Sequence, residues 1–309
     1  MLDAVKRLHD NIATVYLGEP DGIDRVIRCL LARGHALIED VPGVGKTVLA
    51  SAVAKSLDCS FSRIQLTPDL MPSDVIGVTV FDREGSEFTF KPGPIFANII
   101  LADEVNRTPP RTQTALLEAM SDGSVSVDGT SRTLEPPFFV LATQNPYEFE
   151  GTYPLPENQL DRFLIRMSLG YPAAEDESRL LLVRPAQTEL VHLEPVLHAS
   201  DVIKLQEEVD KVHLGQTIRD YIVEFARATR DHAEFRVGLS PRGSLALAHI
   251  ARATAFMDAR DHVIPEDVID NIEPVCAHRV ITRAGAGPAA VEEASEILAE
   301  IIRGIAAPV

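Results

Sequence analysis

Asp40-Val-Pro-Gly-Val-Gly-Lys-Thr47 packs two glycines, a lysine and a hydroxyl into one short segment. Those residue types in that order suit an anion carrying several phosphates. Gly43 and Gly45 let backbone N–H groups curl towards phosphate oxygens with no Cβ in the way. Lys46 can bridge the outer phosphates, and the Thr47 hydroxyl is an oxygen ligand suited to Mg²⁺. A second segment, Ile99-Ile-Leu-Ala-Asp-Glu104, sets two carboxylates directly after an apolar run. Asp103 could hold the metal through water while Glu104 orients and polarises an attacking water; an acidic pair there could also cap a helix. In Ala142-Thr-Gln-Asn-Pro146 the amide of Asn145 could bond both that water and a terminal phosphate, or serve as a turn residue before Pro146. Arg162, in Leu160-Asp-Arg-Phe163, and Arg242, in Ser240-Pro-Arg-Gly243, are candidate stabilisers of phosphate charge, although spacing alone describes solvated arginines better.

Such groups work only if rigid elements aim them. His35–Glu39 reads as a short buried strand and Thr47–Leu57 as a helix, so the glycine segment joins the two. A strand running into a helix N-terminus is the context a phosphate loop needs. Ser60–Gln65, Ile99–Ala102, Phe138–Thr143 and Leu164–Leu169 read as further strands, with a helix over Arg111–Met120. Apolar strands separated by helices predict an α/β fold with a parallel sheet covered on both faces. The acidic pair then falls at the carboxyl end of a strand, where open α/β sheets bind ligands.

Two hairpins interrupt the alternation. Val78–Phe81 and Phe88–Phe90 flank Asp82-Arg-Glu-Gly85, and Ser124–Val127 precedes Asp128-Gly129. Beyond Tyr171-Pro172 the pattern becomes helical over Val202–Val212, Ile218–Arg230, Ser244–Asp258 and Val291–Ile302, with Pro265-Glu-Asp-Val268 as a helix start. A boundary near Gly170 divides the chain into 1–170 and 171–309.

The 309 residues carry 29 basic and 46 acidic side chains, a net charge of −17. A chain this acidic repels phosphate backbones at long range, so nucleic acid is an unexpected partner. No apolar run reaches the roughly 20 residues of a membrane span, the start lacks a signal-type apolar stretch, and a cytoplasmic location is expected. Cys29, Cys59 and Cys276 are isolated in apolar stretches and read as small buried hydrophobes.

The segments His35–Thr47, Lys91-Pro-Gly-Pro-Ile-Phe-Ala-Asn98, Ala102-Asp-Glu-Val-Asn-Arg107 and Gly151-Thr-Tyr-Pro-Leu-Pro-Glu157 together resemble the MoxR family of AAA+ ATPases, from about Tyr16 to Arg279. Asp40 departs from the general Walker A pattern, which has glycine there. The resemblance implies a P-loop NTPase αβα sandwich with inserted β-hairpins and a helical lid, assembled as a hexameric ring. It implies ATP and Mg²⁺ as cofactors, with Asp40, Pro42, Gly43, Val44, Gly45, Lys46, Thr47, Val48 and Asp103 around the nucleotide. Thr47 and Asp103 become the metal ligands and Glu104 the water-activating base. Asn145 becomes sensor 1, Arg162 the arginine finger reaching a neighbouring subunit (with Arg166 a weaker candidate), and Arg242 sensor 2, carrying lid motion to the γ-phosphate. The hairpin around Val78–Phe90 resembles an insert projecting towards the ring face or pore. Expected partners are a von Willebrand factor A domain protein and a client protein complex that the ATPase remodels. A nucleic-acid motor, a magnesium-chelatase-like motor subunit and a non-catalytic ATP switch are the competing functions on this fold.

Overall fold

A computed structural model describes residues 2–41, 43–83, 85–145, 151–183, 190–285 and 288–308. Helices α1 (Leu2–Ala13) and α2 (Pro20–Leu31) lead into β1 (Ala36–Glu39), α3 (Lys46–Ser56) and β2 (Phe61–Gln65). A short α4 (Pro72–Ile76) precedes the hairpin β3 (Gly77–Asp82) and β4 (Glu87–Pro92). Then come β5 (Ile99–Asp103), α5 (Pro110–Asp122), the hairpin β6 (Ser124–Val127) and β7 (Thr130–Thr133), and β8 (Phe139–Gln144). The nucleotide-loop half closes with α6 (Glu157–Leu160) and β9 (Ile165–Met167). The remainder is α7 (Ala174–Val183), α8 (Ala199–Lys211), α9 (Gln216–Asp231), β10 (Phe235–Val237), α10 (Pro241–Met257), α11 (Pro265–Ile269), α12 (Ile272–Cys276), β11 (Ile281–Thr282) and α13 (Pro288–Arg303).

Five strands pair in parallel in the order β2-β5-β8-β1-β9, in register Ile38 with Thr143 and Leu101 with Leu141. The central strands are apolar up to their carboxyl ends because both of their faces are covered. Ala36, Ile38, Ile99, Leu101, Phe139 and Leu141 point into one core, shared with α1, α2, α3 and the C-terminal helices. Leu37, Ile100, Ala102, Val140 and Ala142 point into the other, against α4 and α5. The period of two within each strand thus divides its side chains between two apolar layers.

Both hairpins form, with Val78 opposite Lys91 and Val125 opposite Arg132. The first carries an exposed aromatic pair, Phe81 and Phe88, packed edge to face with ring centres 5.3 Å apart. Two features go beyond the expected elements. Helices α1 and α2 bury Val5, Leu8, Ile12, Ile23, Val26, Ile27 and Leu30 under the sheet. A two-stranded antiparallel piece, β10 with β11, ties the C-terminal helices together. Cys29 and Cys276 are buried as expected, whereas Cys59 is partly exposed. No helix among the described residues is long and apolar enough to cross a membrane.

Candidate nucleotide site and its arginines

The loop after β1 turns through two glycines in the left-handed region, Gly43 at φ +95° and Gly45 at φ +94°. Gly45 is also the N-cap of α3, so the first helical N–H groups face the loop's concavity. The ring of buried Tyr16 lies 3.3 Å from where a Cβ on Gly45 would sit, so the loop rests on this tyrosine. Pro42 lies outside the described residues.

Gly43, Gly45, Lys46, Thr47, Val48, Arg63, Gln65, Asp103, Glu104, Thr143 and Asn145 enclose a cavity of about 310 Å³ at the carboxyl ends of β5 and β8. Lys46 Nζ donates to the main-chain oxygen of Asp40 at 2.8 Å. Partial burial pulls its pKa down, while Asp40, Asp103 and Glu104 pull it up. Thr143 Oγ1 donates to Asp103 Oδ1 at 2.8 Å and accepts from the Glu104 N–H at 2.9 Å, so β8 sets the position of both acids. Glu104 has φ +59° and ψ +54°, a left-handed conformation unusual for a side chain with a Cβ. Its Oε2 accepts from Arg107 Nη1 at 2.8 Å and from Gln65 Nε2 at 3.2 Å. Asn145 is buried at the end of β8, and its main-chain oxygen accepts from Asn106 Nδ2 at 3.4 Å.

Arg63 on β2 is a site residue without a motif. Its Nη2 and Nε donate to Asp103 Oδ2 at 2.6 Å and 3.0 Å. Edge strand β2 alternates exposed and covered residues, so Arg63 reads locally as a solvated side chain. Only its pairing beside β5 brings it to Asp103.

The described donor set fits a hard divalent cation. The Thr47 hydroxyl and the Asp103 carboxylate are oxygen ligands on one cavity, opposite a lysine suited to phosphate.

The other sequence-derived residues fall elsewhere. Asp40 sends its carboxylate away from the phosphate cavity: Oδ1 accepts from Ser168 Oγ at 3.1 Å and Oδ2 from the Leu169 N–H. The residue in place of the first loop glycine therefore ties the loop to the end of β9. Val44 packs against the apolar core. Arg166 is paired with Glu39 across β1 and β9, and both line a separate cleft of about 990 Å³ beneath Val41 and Gly170.

Arg162 and Arg242 meet at a third cavity, of about 250 Å³, with Arg33, His249, Asp161 and Arg279. Arg162 Nη1 donates to Leu117 O at 2.9 Å and Ser121 Oγ at 2.7 Å. Arg242 stands in the first turn of α10, capped by Ser240 Oγ accepting from the Gly243 N–H at 3.1 Å. Its Nε lies 3.7 Å from Asp161 Oδ2. Arg242 shares this cavity with Arg162, whereas Lys46 lines the phosphate cavity.

A parallel sheet with a lysine–threonine loop, an acid pair and a buried amide around one cavity defines a P-loop ATPase core. Comparison with known proteins agrees: residues 35–165 match the ATPase family associated with various cellular activities (AAA), and residues 227–301 match the AAA lid domain. Chaperone MoxR1 of Mycobacterium tuberculosis is 39% identical over 87% of this chain and 74% of its own. Protein YeaC of Bacillus subtilis is 47% identical over 97% of this chain and 93% of its own. A crystal structure from Cytophaga hutchinsonii, described as a candidate ATPase, superposes with a TM-score of 0.90 at 35% identity, over 100% of this chain and 96% of that one. The chain belongs to the MoxR family of AAA+ ATPases.

Proposed function

We propose that this protein hydrolyses ATP with Mg²⁺ and uses the cycle to remodel client protein complexes, as the chaperone name of its mycobacterial relative implies. The observation that carries the reading is the single cavity shared by Lys46, Thr47, Asp103, Glu104 and Asn145. Mg²⁺, when bound by Thr47 and Asp103, supplies charge neutralisation for the transferring phosphoryl group. Lys46 and the amides behind Gly43 and Gly45 hold the phosphates in place. Glu104 takes a proton from the attacking water, and Asn145 orients that water. Phosphoryl transfer to water needs positioning and charge stabilisation more than covalent help, and these residue types provide both.

Arg162 and Arg242 serve a neighbouring subunit's nucleotide, which makes the active unit an oligomer, a ring of six by family resemblance. Their common cavity, set apart from the phosphate loop, supports this reading. A von Willebrand factor A domain protein is the proposed adaptor, and the cytoplasm the proposed location. The net charge of −17 disfavours a nucleic-acid track.

The test is phosphate release and nucleotide binding by the purified chain. Lys46→Ala should lose nucleotide binding. Glu104→Gln should bind ATP and fail to turn it over. Normal turnover in Glu104→Gln would remove the assigned base, and no phosphate release by the wild type at any protein concentration would remove the ATPase reading. Captured from cell extract with ATP present, Glu104→Gln should enrich the adaptor and client relative to Lys46→Ala.

A further inference from the structure

Both carboxylate oxygens of Asp103 already accept hydrogen bonds. Thr143 Oγ1 holds Oδ1 at 2.8 Å, and the Arg63 guanidinium holds Oδ2 through Nη2 at 2.6 Å and Nε at 3.0 Å. The Asp103 side chain is only 12% exposed, whereas that of Arg63 is 49% exposed. A carboxylate so covered is costly to leave without a counter-charge. Its partner, by contrast, is half in water and free to swing on a long side chain. Arg63 Nη2 also lies 3.5 Å from Gln65 Oε1, and Gln65 Nε2 in turn donates to Glu104 at 3.2 Å. The guanidinium thus sits where both acids of the site can be reached from β2.

We propose that Arg63 is the resident counter-charge of Asp103, which competes with the divalent cation for that carboxylate and transfers to the nucleotide's phosphates when the metal arrives. This rests on the reading of the cavity as a metal–nucleotide site. The cavity wall offers two cations, Lys46 and Arg63, against two carboxylates, Asp103 and Glu104. A metal held at Asp103 while Arg63 stays on that carboxylate would be repelled by the arginine's positive charge. The same charge turned towards a phosphate tail would be attracted. Arg63 therefore sets two affinities in opposite senses. It weakens the metal's hold on Asp103, and with metal absent it neutralises a carboxylate that would otherwise repel the nucleotide's phosphates.

Arg63→Gln removes the charge and keeps an amide donor, and Arg63→Lys keeps the charge. With ADP bound, Mn²⁺ affinity, read from the electron paramagnetic resonance signal of free Mn²⁺, should tighten about tenfold in Arg63→Gln, between the worth of an exposed and a buried ion pair. It should fall between wild type and Arg63→Gln in Arg63→Lys, as the charge is retained and the two-donor grip on Asp103 is lost. Fluorescent ATP in excess EDTA should bind Arg63→Gln more weakly than wild type. The rise in melting temperature on adding Mn²⁺ and ADP should be larger in Arg63→Gln, because metal replaces the counter-charge it lacks. Unchanged or weaker Mn²⁺ affinity in Arg63→Gln, with ADP binding intact, would overturn this proposal and leave the nucleotide site standing. Failure of the wild type to bind ADP would overturn the nucleotide site and this proposal together.

Discussion

Arg279 and Asp161 form an ion pair, Nε to Oδ1 at 2.9 Å, that joins the end of α12 to the turn after α6. The Arg279 side chain is 2% exposed. Its remaining donors reach the main-chain oxygens of Phe163, Leu164 and Val275, and the neighbouring His278 Nε2 reaches Phe163 O at 3.1 Å. The segment so held contains Arg162, and the other oxygen of Asp161 faces Arg242. The C-terminal helices and the arginine-bearing turn are therefore one mechanical piece.

Arg279 is buried, so removing it strips the donor from the main-chain oxygens of Phe163, Leu164 and Val275 as well as breaking the pair, while Asp161 keeps Arg242 nearby. Arg279→Met should cost about 3–5 kcal/mol in denaturant unfolding. Asp161→Asn, which keeps shape and one acceptor, should cost less. A loss under about 1 kcal/mol for Arg279→Met would show that the joint is dispensable.

Glu104 holds a left-handed backbone that glycine adopts freely. Glu104→Gly should raise folding stability by about 1 kcal/mol while abolishing phosphate release. Chemical denaturation beside a turnover assay checks both. A destabilised Glu104→Gly would mean that the contacts to Arg107 and Gln65 outweigh the strain.

If Arg162 completes a neighbour's site, activity per subunit rises with protein concentration through the assembly range. Arg162→Ala should then lower kcat by about 10³-fold or more with nucleotide affinity retained. Mixing Arg162→Ala with Lys46→Ala, each inactive alone, should restore part of the turnover, since some interfaces would join an intact loop to an intact arginine. A mixture as silent as its components would argue that Arg162 acts within its own chain.

His35 is buried between Met120 and Val140. Its Nε2 lies 3.0 Å from Met120 O and its Nδ1 accepts from the Val140 N–H at 3.1 Å, an arrangement that needs the neutral ring. Burial pulls its pKa from 6.5 down to about 4. The unfolded chain therefore takes up a proton below pH 6.5 that the folded chain refuses until about 4. Stability should fall with acidity across that window, by about 3 kcal/mol in total, and stay flat from this group above it. Buried His278 is shifted in the same direction and adds to the slope. Urea unfolding from pH 7.5 to 4.5 should show a shallower slope in His35→Gln than in wild type. Parallel slopes would place the sensitivity elsewhere.

Much of the architecture is legible in the chain because it is written in local order. Lys46 and Thr47 open a helix behind a buried strand, and Asp103 ends a strand of unbroken apolar residues, since continuous burial and chain connectivity leave few other choices. Both hairpins follow from their turn residues in the same way. Helices α1 and α2 carry apolar residues at helical spacing but no residues with chemistry of their own, and only packing under the sheet gives them a place in the fold. What sequence order leaves open is which distant side chains become neighbours. Strand order alone puts Arg63 of an edge strand on Asp103. Asp40, local to the loop, spends its carboxylate on β9, and Arg242, marked by a proline and a glycine, lands beside Arg162 instead of Lys46. These pairings depend on how the sheet is ordered and where the C-terminal helices dock, which long-range packing decides and residue spacing does not encode.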